Sequence, residues 1–236
     1  MNEIFLDTAN LKEIKEIKQW GIIKGITTNQ KIFEREKGCN FEARSKEILE
    51  MAYPYPVSLE GPNDLESLVK FAEEYDAWGK NVVIKVPMLG NGDGLIAVKR
   101  LSEMGIKTNV TACMTLNQLF LAASAGATYV SLFYNRTKDW FKENYPFIKN
   151  QPLNTIAYTH ARDLICNAMD MIDEIGSNTK LIIGSIRNPK DIEEIVAVGP
   201  HIITIPYEIL KRMPFCQKTE DTLKEFDEAW ERFCKS

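Results

Sequence analysis

The chain has 236 residues, 44% of them hydrophobic, enough to bury a full core in one large domain or two small ones and too apolar for a disordered chain. A formal net charge of −4 argues against nucleic acid as the main partner, and no apolar run approaches the roughly 18 residues of a membrane span. The amino terminus, MNEIFLDTAN, lacks a basic stretch followed by an apolar one, so no signal peptide is expected, and five cysteines without a Cys-x-x-Cys pair fit reduced thiols in the cytoplasm.

The first predicted strand, IFLDT at 4–8, runs into a helix whose Asn10 and Glu13 read as a capping box before Leu11, Ile14 and Ile17, with Gly21 as its stop. GITTN at 25–29 and PVSLE at 56–60 are the next strands. Asn63 with Glu66 repeats the capping device before Leu65, Leu68, Val69 and Ala72. VVIKVP at 82–87 is the fourth strand. The glycine-rich LGNGDG after it, at 89–94, matches no phosphate-loop pattern and reads as a turn into a helix. IKTNVT at 106–111 and YVSLF at 129–133 follow. Residues 137–151 are expected to form an aromatic loop insertion, either a packed surface excursion or a wall over a site. A helix with Ile156, Ala157, Ala161, Leu164, Ile165 and Ala168 on its apolar face comes next. KLIIGS at 180–185 precedes an N-cap at Asn188, a first-turn proline at Pro189 and a stop at Gly199, and IITIP at 202–206 is the last strand. At 219–234 a carboxyl-terminal helix carries Leu223, Phe226, Trp230 and Phe233 as one stripe, placed to cover its own barrel or a neighbouring subunit.

Eight strands alternating with helices imply parallel pairing through right-handed crossovers. In a chain of this length they predict an α/β fold: a single closed (β/α)8 TIM barrel over residues 1–236 with an extra carboxyl-terminal helix. A doubly wound open sheet is the alternative. It would have fewer strands, and no GxGxxG follows the first one.

Lys85 stands inside an otherwise apolar strand, near its carboxyl end, where active sites of parallel α/β folds lie. Lysine is rarely buried unless paired. Withdrawal from water disfavours the ammonium, and a neutral amine attacks carbonyls to give a Schiff base. Alone, the residue reads better as a strand-end lysine reaching solvent. Its company changes that reading. Asp7, Asn29, Glu60, Asn109, Thr111, Ser131 and Ser185 all fall at strand ends, with Arg136 and Arg187 just beyond. One such residue is a cap or a satisfied core group. Polar groups from seven consecutive strands on one rim would be costly unless they served a ligand.

The residue types suit carbon–carbon bond chemistry. A lysine iminium is an electron sink, and Asp7 or Glu60 could take the proton from the hydroxyl beside the breaking bond. Glu60 with Thr111 suits the proton shuttling that expels water. Asn29, Asn109 and Ser131 would hold sugar hydroxyls. Arg136, Ser185 and Arg187 make an anion site. Asp7 and Glu60 as a glycosidase pair would need no lysine, and as magnesium ligands they would accompany a phosphate loop or more carboxylates. With only His160 and His201 and scattered cysteines, a zinc site is not expected.

Together FLDTAN (5–10), GITTN (25–29), VSLE (57–60), VIKVPM (83–88), GIKTNVT (105–111), AGATYVSLF (125–133), GSIRNP (184–189) and ITIP (203–206) make the chain resemble a small transaldolase, of the group that also contains fructose-6-phosphate aldolases. The resemblance runs almost end to end. It implies that Lys85 carries the Schiff base, that Asp7 is the acid/base for cleavage, and that Glu60 and Thr111 bind the catalytic water. It also puts Asn29, Asn109 and Ser131 around a dihydroxyacetone moiety, and Arg136, Ser185 and Arg187 on phosphate. Glu60 in place of the aldolase branch's Gln, and Phe133 in place of its Tyr, resemble the transaldolase branch. Gln30 (for the family's Pro in TTNP), Leu132 (for Pro after the serine of strand six) and the lengthened 137–151 segment depart from the pattern. They spare the lysine chemistry and bear on the anion and acceptor end.

The expectation is therefore a cytoplasmic enzyme that needs no cofactor or metal. It transfers dihydroxyacetone from fructose 6-phosphate or sedoheptulose 7-phosphate to an aldose phosphate. The alternatives are the same transfer from 6-deoxy-6-sulfofructose, an aldolase releasing dihydroxyacetone, and a non-catalytic sugar-phosphate binder, which retention of Lys85, Asp7 and Glu60 argues against. The expected partners are anion-ended ketose and aldose substrates, with neither nucleic acid nor membrane. By resemblance the chain is expected to be a homo-oligomer whose tail helix reaches a neighbour.

Overall fold

The protein's structure, a computed structural model, describes residues 2–148 and 160–235, with only the backbone at 145–148. Eight parallel strands close in chain order into a barrel: β1 (Glu3–Asp7), β2 (Ile23–Thr27), β3 (Val57–Glu60), β4 (Val82–Pro87), β5 (Thr108–Cys113), β6 (Tyr129–Phe133), β7 (Lys180–Gly184) and β8 (Ile202–Pro206). β1 pairs with both β2 and β8, so no edge is left and the doubly wound alternative is excluded. The outer layer comprises α1 (Leu11–Lys18), α2 (Gln30–Arg35), α3 (Phe41–Ala52), α4 (Leu65–Asp76), α5 (Asp93–Glu103), α6 (Leu116–Ser124), α7 (Tyr134–Ile148), α8 (Ala161–Glu174), α9 (Pro189–Val196), α10 (Tyr207–Leu210) and the tail helix α11 (Gln217–Cys234).

The strands look uniformly apolar, yet their two faces differ. Leu6, Ile26, Leu59, Ile84, Val110, Leu132, Ile183 and Ile205 belong to the core between barrel and helices. The period-2 alternation of a strand sends the residues between them into the barrel interior. Low in that interior Phe5, Ile182 and Ile202 form a separate cluster with Tyr129 against it, the Phe5 and Tyr129 rings meeting edge to face at 6.2 Å. This plug dictates its neighbour: a Cβ on Gly25 would come within 2.5 Å of the Phe5 ring, so only glycine fits there. Phe5→Ala would cost about 3–5 kcal/mol by the usual measure of an emptied aromatic site. Above the plug the inward positions turn polar.

β4, β6 and β8 have the predicted ends; the other strands differ by one or two residues, and in β2 and β5 the reason is visible. β2 ends at Thr27 rather than residue 29, because Asn29 leaves the sheet to cap α2, accepting from Ile32 N at 3.0 Å. β5 runs on to Cys113 because it is irregular after Val110, with Ala112 at φ 62°. Two caps need correcting. Asn10 does cap α1, through the backbone N–H groups of Lys12 and Glu13, but the Glu13 carboxylate takes the Thr8 hydroxyl instead of closing a box. The cap of α4 is Asp64, not Asn63. At α9 Asn188 and Asp191 form a full capping box around Pro189.

The largest correction concerns 137–151. Residues 134–148 are helical, with Tyr134, Thr137 and Phe141 buried at helical spacing, and 149–151 lie outside the described residues. Ile156 and Ala157 lie there too. Ala161, Leu164, Ile165 and Ala168 form the buried face of α8, as read from the sequence. α11 buries none of its residues, and Leu223, Phe226, Trp230 and Phe233 are 49–69% exposed. Among the described residues no helix is long and apolar enough to cross a membrane.

Candidate active site

Parallel register sets the polar groups abreast. Glu60, Lys85 and Asn109 are lateral partners on β3, β4 and β5, as are Asp7 and Thr27 on β1 and β2. Lys85 is 5% exposed and its ammonium is held from two sides, by Glu60 Oε2 at 2.7 Å and the Thr28 carbonyl at 2.9 Å. The Glu60 carboxylate is a ready acceptor for the proton that Lys85 must lose before it can attack.

Asp7 accepts the Thr27 hydroxyl at 2.7 Å, and the Thr27 oxygen in turn meets the hydroxyl of Thr204 on β8. Because Thr27 spends its only proton on Asp7, Thr204 is the donor in that second contact. Burial pushes the Asp7 carboxyl above the usual carboxylate value. The Thr27 bond and the charges of Lys85 and Arg35 oppose that push, and Glu60 adds to it. A carboxyl poised upward in this way suits general acid/base work.

The hydroxyls and amides beside Lys85 form a second layer of order. Asn109 is buried, donating to Ser58 Oγ at 3.2 Å and accepting from Ser131 Oγ at 2.7 Å. Thr111 is 2% exposed and its Oγ1 has no hydrogen-bond partner, a costly state for a buried hydroxyl and a fitting one for a group that binds water or substrate. Asn29 spends its carbonyl oxygen on the α2 cap, which leaves its amide N–H groups to donate into the pocket.

These groups line one cavity at the carboxyl ends of the strands, about 620 Å³ with its open mouth. Of the residues expected from sequence, Asp7, Asn29, Lys85, Asn109, Thr111, Ser131, Phe133, Arg136 and Ser185 are on its wall. Two are not. Glu60 sits behind Lys85 and reaches the cavity through it. Arg187 is exposed and bound to Asp139 of α7, at 2.5 and 3.0 Å, clear of the wall. Arg136 lies at the rim with its guanidinium 5.0 Å above the Phe133 ring and no ion pair among the described residues. Ser185 holds a left-handed backbone, φ 62°, at the end of β7. Sequence reasoning missed Thr27 and Thr204. Thr204 had a signal, as the only polar residue of IITIP in the inward phase. Among the described residues no group of three or more His, Cys, Asp or Glu is placed to hold a metal ion.

The family model described as Transaldolase/Fructose-6-phosphate aldolase matches residues 4–236. A protein of Alkaliphilus metalliredigens named probable transaldolase is 37% identical over 234 residues, covering 99% of this chain and 100% of its own length. One of Kosmotoga olearia with the same name is 38% identical over 233 residues, covering 98% of this chain and 97% of its own. A crystal structure from Coccidioides immitis, assigned as a fructose-1,6-biphosphate aldolase, superposes with a TM-score of 0.54 over 87% of this chain and 73% of its own at 12% identity, a likeness of fold.

Proposed function

The chain belongs to the transaldolase/fructose-6-phosphate aldolase family, and on that premise we propose that it is a transaldolase working through a Schiff base on Lys85. The observation that carries the reading is the buried Lys85 amine on the cavity wall, paired at 2.7 Å with a carboxylate that can take its proton. Glu60 accepts that proton. The freed amine attacks the ketone carbon of the donor, and the carbinolamine loses water to give the iminium. Asp7 then removes the proton from the hydroxyl on the far carbon of the breaking bond, which becomes the carbonyl of the aldose. The carbon–carbon bond electrons flow into the iminium and the aldose leaves. A dihydroxyacetone enamine stays on Lys85. An incoming aldose receives it, Asp7 returns its proton to the new hydroxyl, and water placed by Glu60 and Thr111 releases the product.

Asn29, Asn109 and Ser131 hold the hydroxyls of the dihydroxyacetone unit. Arg136 and Ser185 take the anion at the far end of a phosphorylated donor such as fructose 6-phosphate or sedoheptulose 7-phosphate. Arg187 joins them only by leaving Asp139. Glu60 in place of glutamine and Phe133 in place of a phenol support transfer over release of free dihydroxyacetone. A sulfonated ketose, 6-deoxy-6-sulfofructose, presents the same donor end with a different anion. The exposed stripe of α11 supports a homo-oligomer in which a second copy covers it, and the scattered free cysteines support a cytoplasmic setting.

Borohydride trapping with peptide mapping tests the reading. Fructose 6-phosphate should leave a dihydroxyacetone-sized adduct on Lys85 that an aldose phosphate discharges. Free dihydroxyacetone in place of discharge would move the enzyme to the aldolase branch. A folded sample that traps nothing from fructose 6-phosphate or from 6-deoxy-6-sulfofructose would refute the reading.

A further inference from the structure

Two segments meet at the anion end of the cavity: the start of α7, which carries Arg136, and the β7–α9 loop, which carries Ser185 and Arg187. They are tied by a buried pair that the chemistry above does not use. Asn135, 6% exposed, donates its amide to the Ser185 carbonyl at 2.8 Å and to Asp191 Oδ2 at 2.6 Å. Asp191, 2% exposed, takes on the same oxygen the backbone N–H groups of Arg187 at 3.0 Å and Asn188 at 3.2 Å, and its other oxygen faces Lys138 Nζ at 3.4 Å.

We propose that Asn135 and Asp191 are the positioning residues of the anion subsite, holding Ser185 in its left-handed conformation so that the loop is shaped for a terminal phosphate or sulfonate before the substrate arrives. The inference rests on the anion-ended substrate proposed above. A serine at φ 62° is strained and relaxes unless its surroundings fix it. The bond to its carbonyl from Asn135 and the clasp on the next two N–H groups by Asp191 are what fix it here. Burial would raise the Asp191 carboxyl, but its hydrogen bonds and Lys138 outweigh burial and hold it lowered, so the acceptor stays ionised. Asp191 also closes the α9 capping box, and Asn188 Oδ1 returns the bond to Asp191 N at 3.1 Å. A merely structural role, as a helix cap, therefore needs separating from a positioning one.

Asn188→Ala makes that separation, because it weakens the cap and leaves the Asn135–Asp191–Ser185 contacts in place. Inorganic phosphate affinity by calorimetry, thermal midpoint, and borohydride trapping of neutral dihydroxyacetone on Lys85 would be measured for wild type, Asn135→Ala, Asn135→Ser and Asn188→Ala. Asn135→Ser covers the case in which Asn135→Ala does not fold. With a preshaped loop, either Asn135 variant should bind phosphate about tenfold more weakly and trap dihydroxyacetone normally. Asn188→Ala should lower the midpoint and keep phosphate affinity. Unchanged phosphate affinity in the Asn135 variants, an equal loss in Asn188→Ala, or no phosphate binding by wild type would each overturn the inference. Failure of wild type to trap dihydroxyacetone would instead strike the Schiff-base reading, with the phosphate arm still deciding the role of Asn135.

Discussion

The two ends of the cavity are built by different means. At the Lys85 end the working groups sit on strands, abreast in register, buried or half-buried, and most are already bonded to neighbours. At the anion end they sit on a helix start and a loop beyond β6 and β7, exposed at Arg136 and Arg187, and are held by side-chain ties between segments. Covalent chemistry needs atoms fixed to fractions of an ångström, which a sheet's register supplies. Recognition of a charged end group tolerates more variation, and loops are where it can vary.

The sharpest way to break the contrast is to remove a group from the rigid end. Lys85→Met, which keeps most of the volume, should abolish turnover and trapping. Near wild-type rates in a single-turnover assay would sink the mechanism. Asp7→Asn comes next. It should slow cleavage about 10²–10⁴-fold, the usual worth of a positioned acid/base, while dihydroxyacetone still traps on Lys85. It should also raise the thermal midpoint at neutral pH. The sign follows from the raised carboxyl: the fold favours its protonated form, so that stabilisation is present at low pH and is lost as pH rises through the folded value. The limb of the kcat profile that reports Asp7 ionisation should therefore lie above pH 3.8, and Thr27→Val, which deletes a bond that lowers this carboxyl, should move it further up. A limb that stays put in Thr27→Val would detach Asp7 from the rate.

The exposed end should respond more gently and selectively. Arg136→Ala should raise KM for an anionic donor about tenfold and leave a neutral one alone, since one charge-assisted pair is lost. Arg187→Ala should do less, about twofold, because Arg187 is already spent on Asp139. The reverse ranking would mean that Arg187 swings in and dominates. The smallest effect lies at the opposite end of the barrel, at the starts of the strands. His201 Nδ1 accepts from Leu181 N at 3.1 Å at the start of β7, and burial lowers its proton affinity. Its contribution should be whole above the unfolded value of 6.5 and decline as pH falls through that and the lower folded value. A midpoint in His201→Ala with the same pH slope as wild type would remove the histidine from that account.

The same contrast governs what could be read from the chain. Alternation along a strand is local, so the inward phase of β1, β4, β5 and β6 exposed Asp7, Lys85, Asn109, Thr111 and Ser131 to a reader of the sequence. Ties across long separations leave no such trace. Asn135 reaches Asp191 across 56 positions, and neither residue stands out in its own segment. Adjacent cap formers such as Asn63 and Asp64 are chemically equivalent by eye, and only the chain path selects Asp64. The aromatic residues of 134–148 mask, in the sequence, a helical period that Tyr134, Thr137 and Phe141 nevertheless keep.

The aromatic plug of Phe5 and Tyr129 makes the barrel a vessel with one opening. Whatever enters past Arg136 has no exit through the floor. In the proposed transfer the first aldose must therefore back out through the mouth before the second can come in, while the three-carbon fragment waits on Lys85. With one way in and out, the proposed transfer should show the parallel double-reciprocal lines of a ping-pong exchange.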